Sequence, residues 1–189
     1  MPKERTLVLI KPDGIQKSIT GKIISRFEDA GLKITGMKMV WADDILAKKH
    51  YPLDEEWARN LFKKTKQAYA KEGKEPKYKT WEEIGKAVQS NLINFLKESP
   101  IVAMVLQGPN SIELVRKMIG ATEPRQAIPG TIRADFASVE CYRIADDKER
   151  AVRNLIHASD SKENAEREIA TWFNPNELHD YKKELDKFF

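Results

Sequence analysis

Residues 154–161 read NLIHASDS, and this stretch carries the most informative pattern of the chain. An apolar run ends in His157, small polar residues follow, and an amphipathic helical pattern comes next. The order predicts a short strand, a tight turn and a helix, with Asp160 or Ser161 as the helix N-cap. The strand end and the helix start therefore meet at one histidine.

A histidine at such a junction is a candidate nucleophile for phosphate chemistry. Helix N-termini attract phosphate, and the predicted helix begins only a few residues after His157. Glu168 lies on that helix, at a distance along it that brings its carboxylate within reach of the ring. A carboxylate on one ring nitrogen fixes the tautomer and leaves the other nitrogen free to attack. An isolated histidine at a strand end more often serves packing, so the remaining motifs decide between the two readings.

Two further motifs precede the histidine motif. Residues 11–14, KPDG, follow an apolar run, and residues 129–136 read PGTIRADF. In this order the three motifs closely resemble nucleoside diphosphate kinase, a family that moves phosphate between nucleotides through a phosphohistidine. The resemblance covers most of the chain, roughly Arg5 to Met39, Ile101 to Phe136 and Asn154 to Leu178.

The resemblance implies a role for each residue that matches the family's catalytic motifs. His157 would be the nucleophile, and Ser159 and Glu168 would orient its ring. Lys11 would stabilise the γ-phosphate during transfer. Arg133, in the PGTIR motif, would hold phosphate oxygens bidentately, as the planar guanidinium allows. Read singly, each of these side chains except His157 has an ordinary structural explanation, so it is their joint order that favours the functional one.

Four more residues match the family's nucleotide-binding positions. Arg116 and Thr122 would grip the β-phosphate, Asn154 would contact the ribose 3′-hydroxyl, and Tyr51 would form part of the pocket wall. The resemblance also implies Mg²⁺, which we expect to be bound through substrate phosphates because this ion keeps its waters and needs few protein ligands. His50 and His179 match no catalytic motif, so we expect them to be surface or packing histidines.

The sequence departs from the family pattern in ways that affect the nucleotide base. Alanine follows both His157 and Arg133 where the family often has glycine, and two extra segments lie at about 53–87 and 137–152. The first falls where the family stacks the base on a phenylalanine. Alignment backward from Pro100 places Val88 at that position and Leu92 at its apolar partner. The alternative is that the segment itself supplies the platform, through Trp57, Phe62, Tyr69 or Trp81.

The pattern of elements predicts an α+β fold. Strand and helix signals alternate as β-α-β, extra helices, β-α-β, which is typical of a ferredoxin-like βαββαβ core with an antiparallel sheet and helices on one face. We expect a single domain over 1–189, with a long phosphate-binding loop over 121–136. The segment 53–87 reads as two amphipathic helices joined by a polar linker, and we expect it to fold over the nucleotide entrance. The alternative is that it only forms an oligomer contact or a solvent-facing addition.

Composition restricts the class and the compartment. The chain has 189 residues, 33% charged and 41% apolar, as in a soluble globular protein. No apolar run approaches the ~20 residues of a membrane span, and the chain start enters a predicted strand, so we expect neither a span nor a signal peptide. The only cysteine, Cys141, excludes an internal disulfide and suits a cytoplasmic location.

The partners follow from the favoured function. We expect nucleoside di- and triphosphates as substrates, with the nucleotide preference open, and a homo-oligomer, either hexamer or tetramer, as the family forms. A basic nucleic-acid-binding module is the first alternative, but such modules carry surface aromatic motifs that this chain lacks. A catalytically silent relative is the second, and the joint presence of His157, Lys11, Arg116, Arg133 and Asn154 argues against it.

Overall fold

The structure, a computed structural model, describes residues 3–71, 75 and 77–184. Of the predicted linker in the first extra segment, Gly73, Lys74 and Pro76 lie outside the described residues, as do Met1 and Pro2 at the start of the chain. Within the described part, no helix has both the length and the apolar character that crossing a membrane would require.

A four-stranded antiparallel sheet forms the centre of the molecule, in the order β2-β3-β1-β4. This order, with a helical crossover between β1 and β2 and another between β3 and β4, is the ferredoxin-like arrangement, so the predicted α+β fold class is confirmed. The fourth strand is short because residues 151–155, which precede it, are irregular chain. The strands are β1 Lys3–Ile10, β2 Lys33–Val40, β3 Ile101–Pro109 and β4 Ile156–Ala158.

Helices connect the strands and form both extra segments. The described residues contain nine α-helices and two short 3₁₀ turns, at Pro124–Gln126 and Pro175–Glu177. The α-helices are α1 Pro12–Gln16, α2 Thr20–Asp29, α3 Asp44–His50, α4 Glu55–Lys71, α5 Trp81–Leu96, α6 Ser111–Ile119, α7 Ile132–Ala137, α8 Tyr142–Asp147 and α9 Lys162–Trp172.

The two crossover helices share one face of the sheet, as predicted. Phe27 of α2 and Val115 of α6 pack there against the even-numbered positions of β1, such as Val8. Each fully buried side chain of this size stabilises the fold by roughly 1.5–3 kcal/mol.

The opposite face, which the sequence prediction left without helices, is also covered. There α3, α5 and α9 pack on the odd-numbered positions of β1, with Leu96 and Trp172 against Leu7 and Leu9. The reason lies in the central strand itself. Residues Leu7 to Ile10 are all fully buried, and an apolar strand of this kind requires cover on both faces.

The first extra segment contains α4 and the first part of α5, and these two helices pack closely against each other. Gly85 of α5 lies against Ala58 of α4, so closely that an added Cβ would stand 2.8 Å from the Ala58 Cβ. The Gln89 side chain of α5 donates to the Tyr51 carbonyl over 2.8 Å. The segment is therefore fastened both to its own partner helix and to the chain that leaves α3.

The cap of α5 is not the reciprocal capping box that a threonine followed three residues later by a glutamate predicts. The Thr80 hydroxyl accepts from the Glu83 amide at 3.3 Å, as predicted. The Glu83 carboxylate, however, accepts from the Lys79 amide at 2.9 Å instead of the Thr80 amide. Similarly, α6 begins after Asn110 in a left-handed conformation, and the Ser111 hydroxyl donates to the Glu4 carbonyl at 2.9 Å instead of capping the helix.

Part of the predicted long loop is helical. The 3₁₀ turn lies within residues 121–136 and α7 begins there and ends at Ala137, and Thr131 caps α7 by accepting from the Ala134 amide. The second extra segment, with α8, is closed by a bidentate pair between Arg150 and Glu140 at 2.9 and 3.0 Å. It is joined to the loop because the Arg125 amide donates to the Glu140 carbonyl.

Candidate active site

A strained turn leads into the strand that carries His157. Leu155 is fully buried at a φ of 68°, and the Ile156 amide donates to the Asn154 carbonyl at 2.7 Å, which closes a three-residue turn. A non-glycine residue in this conformation persists only where its surroundings hold it. Here the Lys11 amide donates to the Leu155 carbonyl at 2.8 Å, and the Asp13 carboxylate accepts from the Leu155 amide at 2.9 Å.

This contact gives the KPDG motif a structural reason. Gly14 lies so close to the turn that an added Cβ would meet the Leu155 carbonyl oxygen at 3.2 Å and the Ile10 side chain at 2.7 Å. Burial raises the pKa of Asp13, which the Lys11 charge opposes. The motif therefore holds the turn that precedes the histidine, in addition to presenting Lys11.

His157 is held by one edge of its ring. Its Nε2 lies 2.9 Å from Oε2 of Glu168, and the same oxygen accepts from the Ser159 hydroxyl at 2.6 Å. The Leu7 amide in turn donates to the Ser159 oxygen at 3.2 Å. An ionised carboxylate only accepts hydrogen bonds, so Nε2 carries the proton and Nδ1 keeps its lone pair. The histidine side chain remains 22% exposed, which leaves the ring accessible to a ligand.

Lys11 and Asn154 form a buried polar pair beside this ring. The Lys11 ammonium donates to Oδ1 of Asn154 at 2.8 Å, and Nδ2 of Asn154 donates to the Thr122 carbonyl at 2.8 Å. Lys11 is only 5% exposed. Burial, helped by the nearby charge of Arg133, lowers the pKa of Lys11 to about 8. In the part of the chain that the structure describes, no carboxylate lies at hydrogen-bond distance from this ammonium, and a desolvated ammonium of this kind is well suited to receive a phosphate.

Arg133 is buried on a helix, whereas the sequence placed it in an exposed loop. Its guanidinium donates to three backbone carbonyls, those of Asn154 at 3.2 Å, Gly120 at 2.8 Å and Ile156 at 2.7 Å. Burial lowers the pKa of Arg133 to about 10, which still leaves it charged near neutrality. Among the described residues, three of the five N–H donors are thus engaged, and two remain for a phosphate.

Arg116 and Thr122 are both exposed, at the end of α6 and at the start of the phosphate loop. The charge of Arg116 is felt at Arg133, where it adds to the effect of burial on the pKa. Together with Lys11, the two arginines surround the approach to His157 with positive charge. Such a surface matches the negative charge of a nucleotide's phosphates.

Tyr51, Val88 and Leu92 lie together on the side of the first extra segment. Tyr51 follows α3 directly, and its pKa is raised by burial and by the negative charge of Glu168. Val88 and Leu92 are half-buried and one turn apart on α5, next to the Gln89 that binds the Tyr51 carbonyl. They offer an aliphatic surface, not an aromatic platform.

The aromatic side chains proposed as replacements are used in different ways. The face of Trp81 is occupied, because the Arg59 guanidinium lies 4.4 Å from its ring centre. Trp57 is 36% exposed. Phe95 of α5 was not among the expected replacements, but its ring lies beside a residue of the site. The Lys11 ammonium is 5.6 Å and the Arg153 guanidinium 4.3 Å from its ring centre.

Sequence reasoning also missed His50, which was expected to be a packing or surface histidine. It is 2% exposed, and its ring centre lies 4.5 Å from that of His157. The two residues are distant in sequence, and the signal available was that His50 directly precedes Tyr51, a residue with an expected role at the pocket wall.

The comparisons with known proteins identify the family of the chain. The family model for nucleoside diphosphate kinase matches residues 4–73 and 62–178. A nucleoside diphosphate kinase from Pyrobaculum aerophilum is 43% identical over 182 residues, which cover 94% of this chain and 99% of that protein. One from Pyrococcus horikoshii is 44% identical over 186 residues, covering 98% of this chain and 95% of that protein.

Solved structures extend the comparison to the fold. An NDP kinase from Pyrobaculum aerophilum has a TM-score of 0.89 at 42% identity, covering 95% of this chain and all of that one. A transition-state mimic of the Borrelia burgdorferi enzyme, with bound vanadate and ADP, has a TM-score of 0.78 at 38% identity, with 97% and 95% covered. Family model, sequence identity and fold all agree, and the chain belongs to the nucleoside diphosphate kinase family.

Proposed function

We propose that His157 carries the phosphoryl group in the nucleoside diphosphate kinase reaction of this chain. Its Nδ1 lone pair would attack the γ-phosphorus of a nucleoside triphosphate, forming an N–P bond as the bond to the β-phosphate oxygen breaks. The diphosphate leaves, and a β-phosphate oxygen of a second diphosphate then attacks the phosphohistidine and releases the ring. The observation that carries this proposal is the bond between Nε2 and Glu168, which leaves Nδ1 unprotonated.

The buried cations are proposed to stabilise charge during transfer. Lys11 and the two unengaged N–H donors of Arg133 would hold the γ-phosphate oxygens, and Arg116 and Thr122 would hold the β-phosphate. Preorganised donors of this kind stabilise a transition state because they need little rearrangement when charge moves. Asn154, fixed between Lys11 and Thr122, would meet the ribose 3′-hydroxyl, and Tyr51, Val88 and Leu92 would line the side of the pocket toward the base.

Mg²⁺ is proposed to enter with the nucleotide. The carboxylates closest to the site are already engaged: Asp13 accepts from the Leu155 amide, and Glu168 accepts from His157 and Ser159. The residues present therefore fit an ion held by substrate phosphates, not one held in a protein cage. When bound, Mg²⁺ would neutralise part of the phosphate charge.

The remaining proposals concern the whole chain. We propose a single nucleoside diphosphate kinase domain over 1–189, in which 53–87 and 137–152 are insertions. A homo-oligomer is supported by an apolar surface at strand β2, where Met39 on the strand and Trp41 just after its end are 63% and 65% exposed. A cytoplasmic location is supported by the presence of one cysteine, the buried Cys141.

Phosphate transfer from labelled ATP tests the central proposal. The wild-type protein should acquire an acid-labile, base-stable label that chases to any added nucleoside diphosphate. His157→Gln should retain the melting temperature and lose both the label and turnover, whereas His179→Gln, at an exposed histidine, should behave as wild type. Label on another residue, or substantial turnover by His157→Gln, would refute the assignment.

A further inference from the structure

His50 lies against the proposed nucleophile from a direction that Glu168 does not cover. The two imidazole rings are 4.5 Å apart between centres and stand at 88° to each other. His50 comes from α3 and His157 from β4. The ring of Trp172, on α9, also packs against His50, with the two ring centres 5.5 Å apart. Three elements thus converge on one ring pair.

The tautomer of His50 follows from its contact with Trp172. The indole Nε1, which can only donate, lies 3.2 Å from Nδ1 of His50, so Nδ1 is an acceptor and Nε2 bears the proton. That Nε2 is fully buried and has no hydrogen-bond partner among the described residues. The ring also stays neutral, because burial first, and then the charges of His157, Lys11 and Arg167, lower the pKa of His50 well below its ordinary value.

The same contact argues against a metal site. His50, His157 and Glu168 place possible ligand atoms within 4.8 Å of one another, a spacing that a divalent cation could bridge. A histidine nitrogen ligates a metal only through a free lone pair. Because the Nδ1 lone pair of His50 faces the indole and Nε2 carries the proton, the ring has no free lone pair to offer.

We propose that His50 is a positioning residue that fixes the ring plane of His157; this inference rests on the proposed function of His157 as nucleophile. Glu168 holds His157 at a single ring atom, and rotation about the last side-chain torsion of histidine has a broad, shallow energy profile. A perpendicular ring at 4.5 Å closes that rotation and keeps Nδ1 turned toward the phosphate site.

The positioning role of His50 also depends on its ring being uncharged. The groups that face His50 are the rings of Tyr51, Trp172 and His157 and the charges of Lys11 and Arg167. A protonated His50 would repel the cations that receive phosphate. It would also disfavour the positive charge that develops on His157 as that ring attacks. A neutral ring with its acceptor side turned to Trp172 positions the nucleophile without adding charge.

His50→Asn tests the proposal, because the shorter amide can still accept from Trp172 but has no ring to set against His157. We expect phosphoenzyme formation from saturating ATP to slow by roughly 10- to 100-fold, the loss typical of a misplaced reacting group, while the ATP concentration for half-saturation stays unchanged. His179→Asn is the matched control and should leave the rate unchanged. An unchanged rate of phosphoenzyme formation in folded His50→Asn would overturn the proposal. A loss of rate accompanied by an equal rise in the ATP concentration for half-saturation would also overturn it.

The ¹⁵N spectrum of the wild-type imidazoles provides a second test that needs no variant. We expect His50 to show a bare Nδ1 and a protonated Nε2 and to remain neutral from about pH 6 to pH 8. Detection of the opposite tautomer or of a protonated ring would overturn the proposal, even if His50→Asn fails to fold. Failure of the proposed function is distinguishable from either result, since the wild-type label would then map to a residue other than His157.

Discussion

Lys11 links the burial of a single ammonium to the pH range of the reaction. Its pKa of about 8 means that the free enzyme loses this charge at a lower pH than an ordinary lysine would. Since kcat/KM reports the ionisations of the free enzyme, it should fall above about pH 8, by up to about tenfold per pH unit. Bound phosphates favour the ammonium, so kcat measured at saturating nucleotide should fall only at a higher pH.

Lys11→Arg is the control for this prediction, because a guanidinium keeps its charge throughout the alkaline range. The variant should be slower, because the planar guanidinium does not fit the site of an ammonium. Its kcat/KM should nevertheless no longer fall near pH 8. If the wild-type profile stays flat to pH 10, or if Lys11→Arg shows the same fall, the titrating group is not Lys11.

Arg133 should differ from Arg116 in its effect on stability. Arg133→Ala removes three hydrogen bonds from a buried guanidinium to backbone carbonyls, and bonds to a charged group contribute about 1.5–3 kcal/mol each, so the free energy of unfolding should drop by several kcal/mol. Arg116→Ala removes an exposed side chain and should change stability by less than about 0.5 kcal/mol while raising the nucleotide KM. Denaturant unfolding separates the two; equal stability of both variants would contradict the structural role of Arg133.

The sequence predicted which side chains meet at the site, but it did not predict which of them are buried. Lys11, Arg133, Ser159 and Glu168 are all found at the site with His157, because motif order reports which residues share a site. Burial is different, since it depends on partners remote in sequence. The carbonyls that bind Arg133 come from Gly120, Asn154 and Ile156, and no local pattern around residue 133 reveals them.

At the scale of elements, strands and amphipathic helices were predictable where the pattern was local. The apolar run of β1 and the helix after His157 were both expected, and their bounds agree with the structure to within a few residues. Two features needed the tertiary structure. The turn at Leu155 has no glycine to indicate its positive φ, and α7 is a short helix within a segment whose Pro and Gly residues indicate a loop.

The contact between α4 and α5 provides a test of the first insertion. Gly85→Ala places a Cβ 2.8 Å from the Ala58 Cβ, so α4 must move away. If the insertion closes over the nucleotide entrance, this change should raise the nucleotide KM by a few-fold with kcat nearly unchanged, because α5 also holds the Tyr51 carbonyl through Gln89. An unchanged KM together with a lowered melting temperature would show that the insertion only stabilises the fold.

Gly21→Ala is the matched control for this substitution. Gly21 is also helical, in α2, but an added Cβ there meets nothing within 4 Å. Helix propensity should therefore dominate, and the variant should be more stable by up to about 1 kcal/mol with unchanged kinetics. The opposite signs expected for the two glycines isolate the steric contact from the intrinsic preference for alanine.

Considering the whole molecule, the residues that the structure describes cover the edge of the sheet at β2 over only half its length. The His179 amide donates to the Thr35 carbonyl at 2.7 Å, and the Tyr181 hydroxyl donates to the Ile34 carbonyl at 2.9 Å, so the C-terminal segment lies along the start of the strand. Further along, Met37 and Met39 on one face of the strand, and Trp41 just after its end, are all more than half exposed. An open edge with apolar side chains is a template for pairing with another chain.

Met39→Glu should therefore weaken self-association if a second copy of the chain covers this edge. In a two-fold interface each substitution counts twice, and burial of a methionine contributes roughly 1.5–3 kcal/mol, so the dissociation constant should rise by at least about 100-fold. Sedimentation over a range of concentrations measures this, with Val139→Glu, an 81% exposed apolar position outside the sheet, as the control. A sedimentation profile of Met39→Glu that coincides with wild type would place the interface elsewhere and leave the β2 edge without a partner.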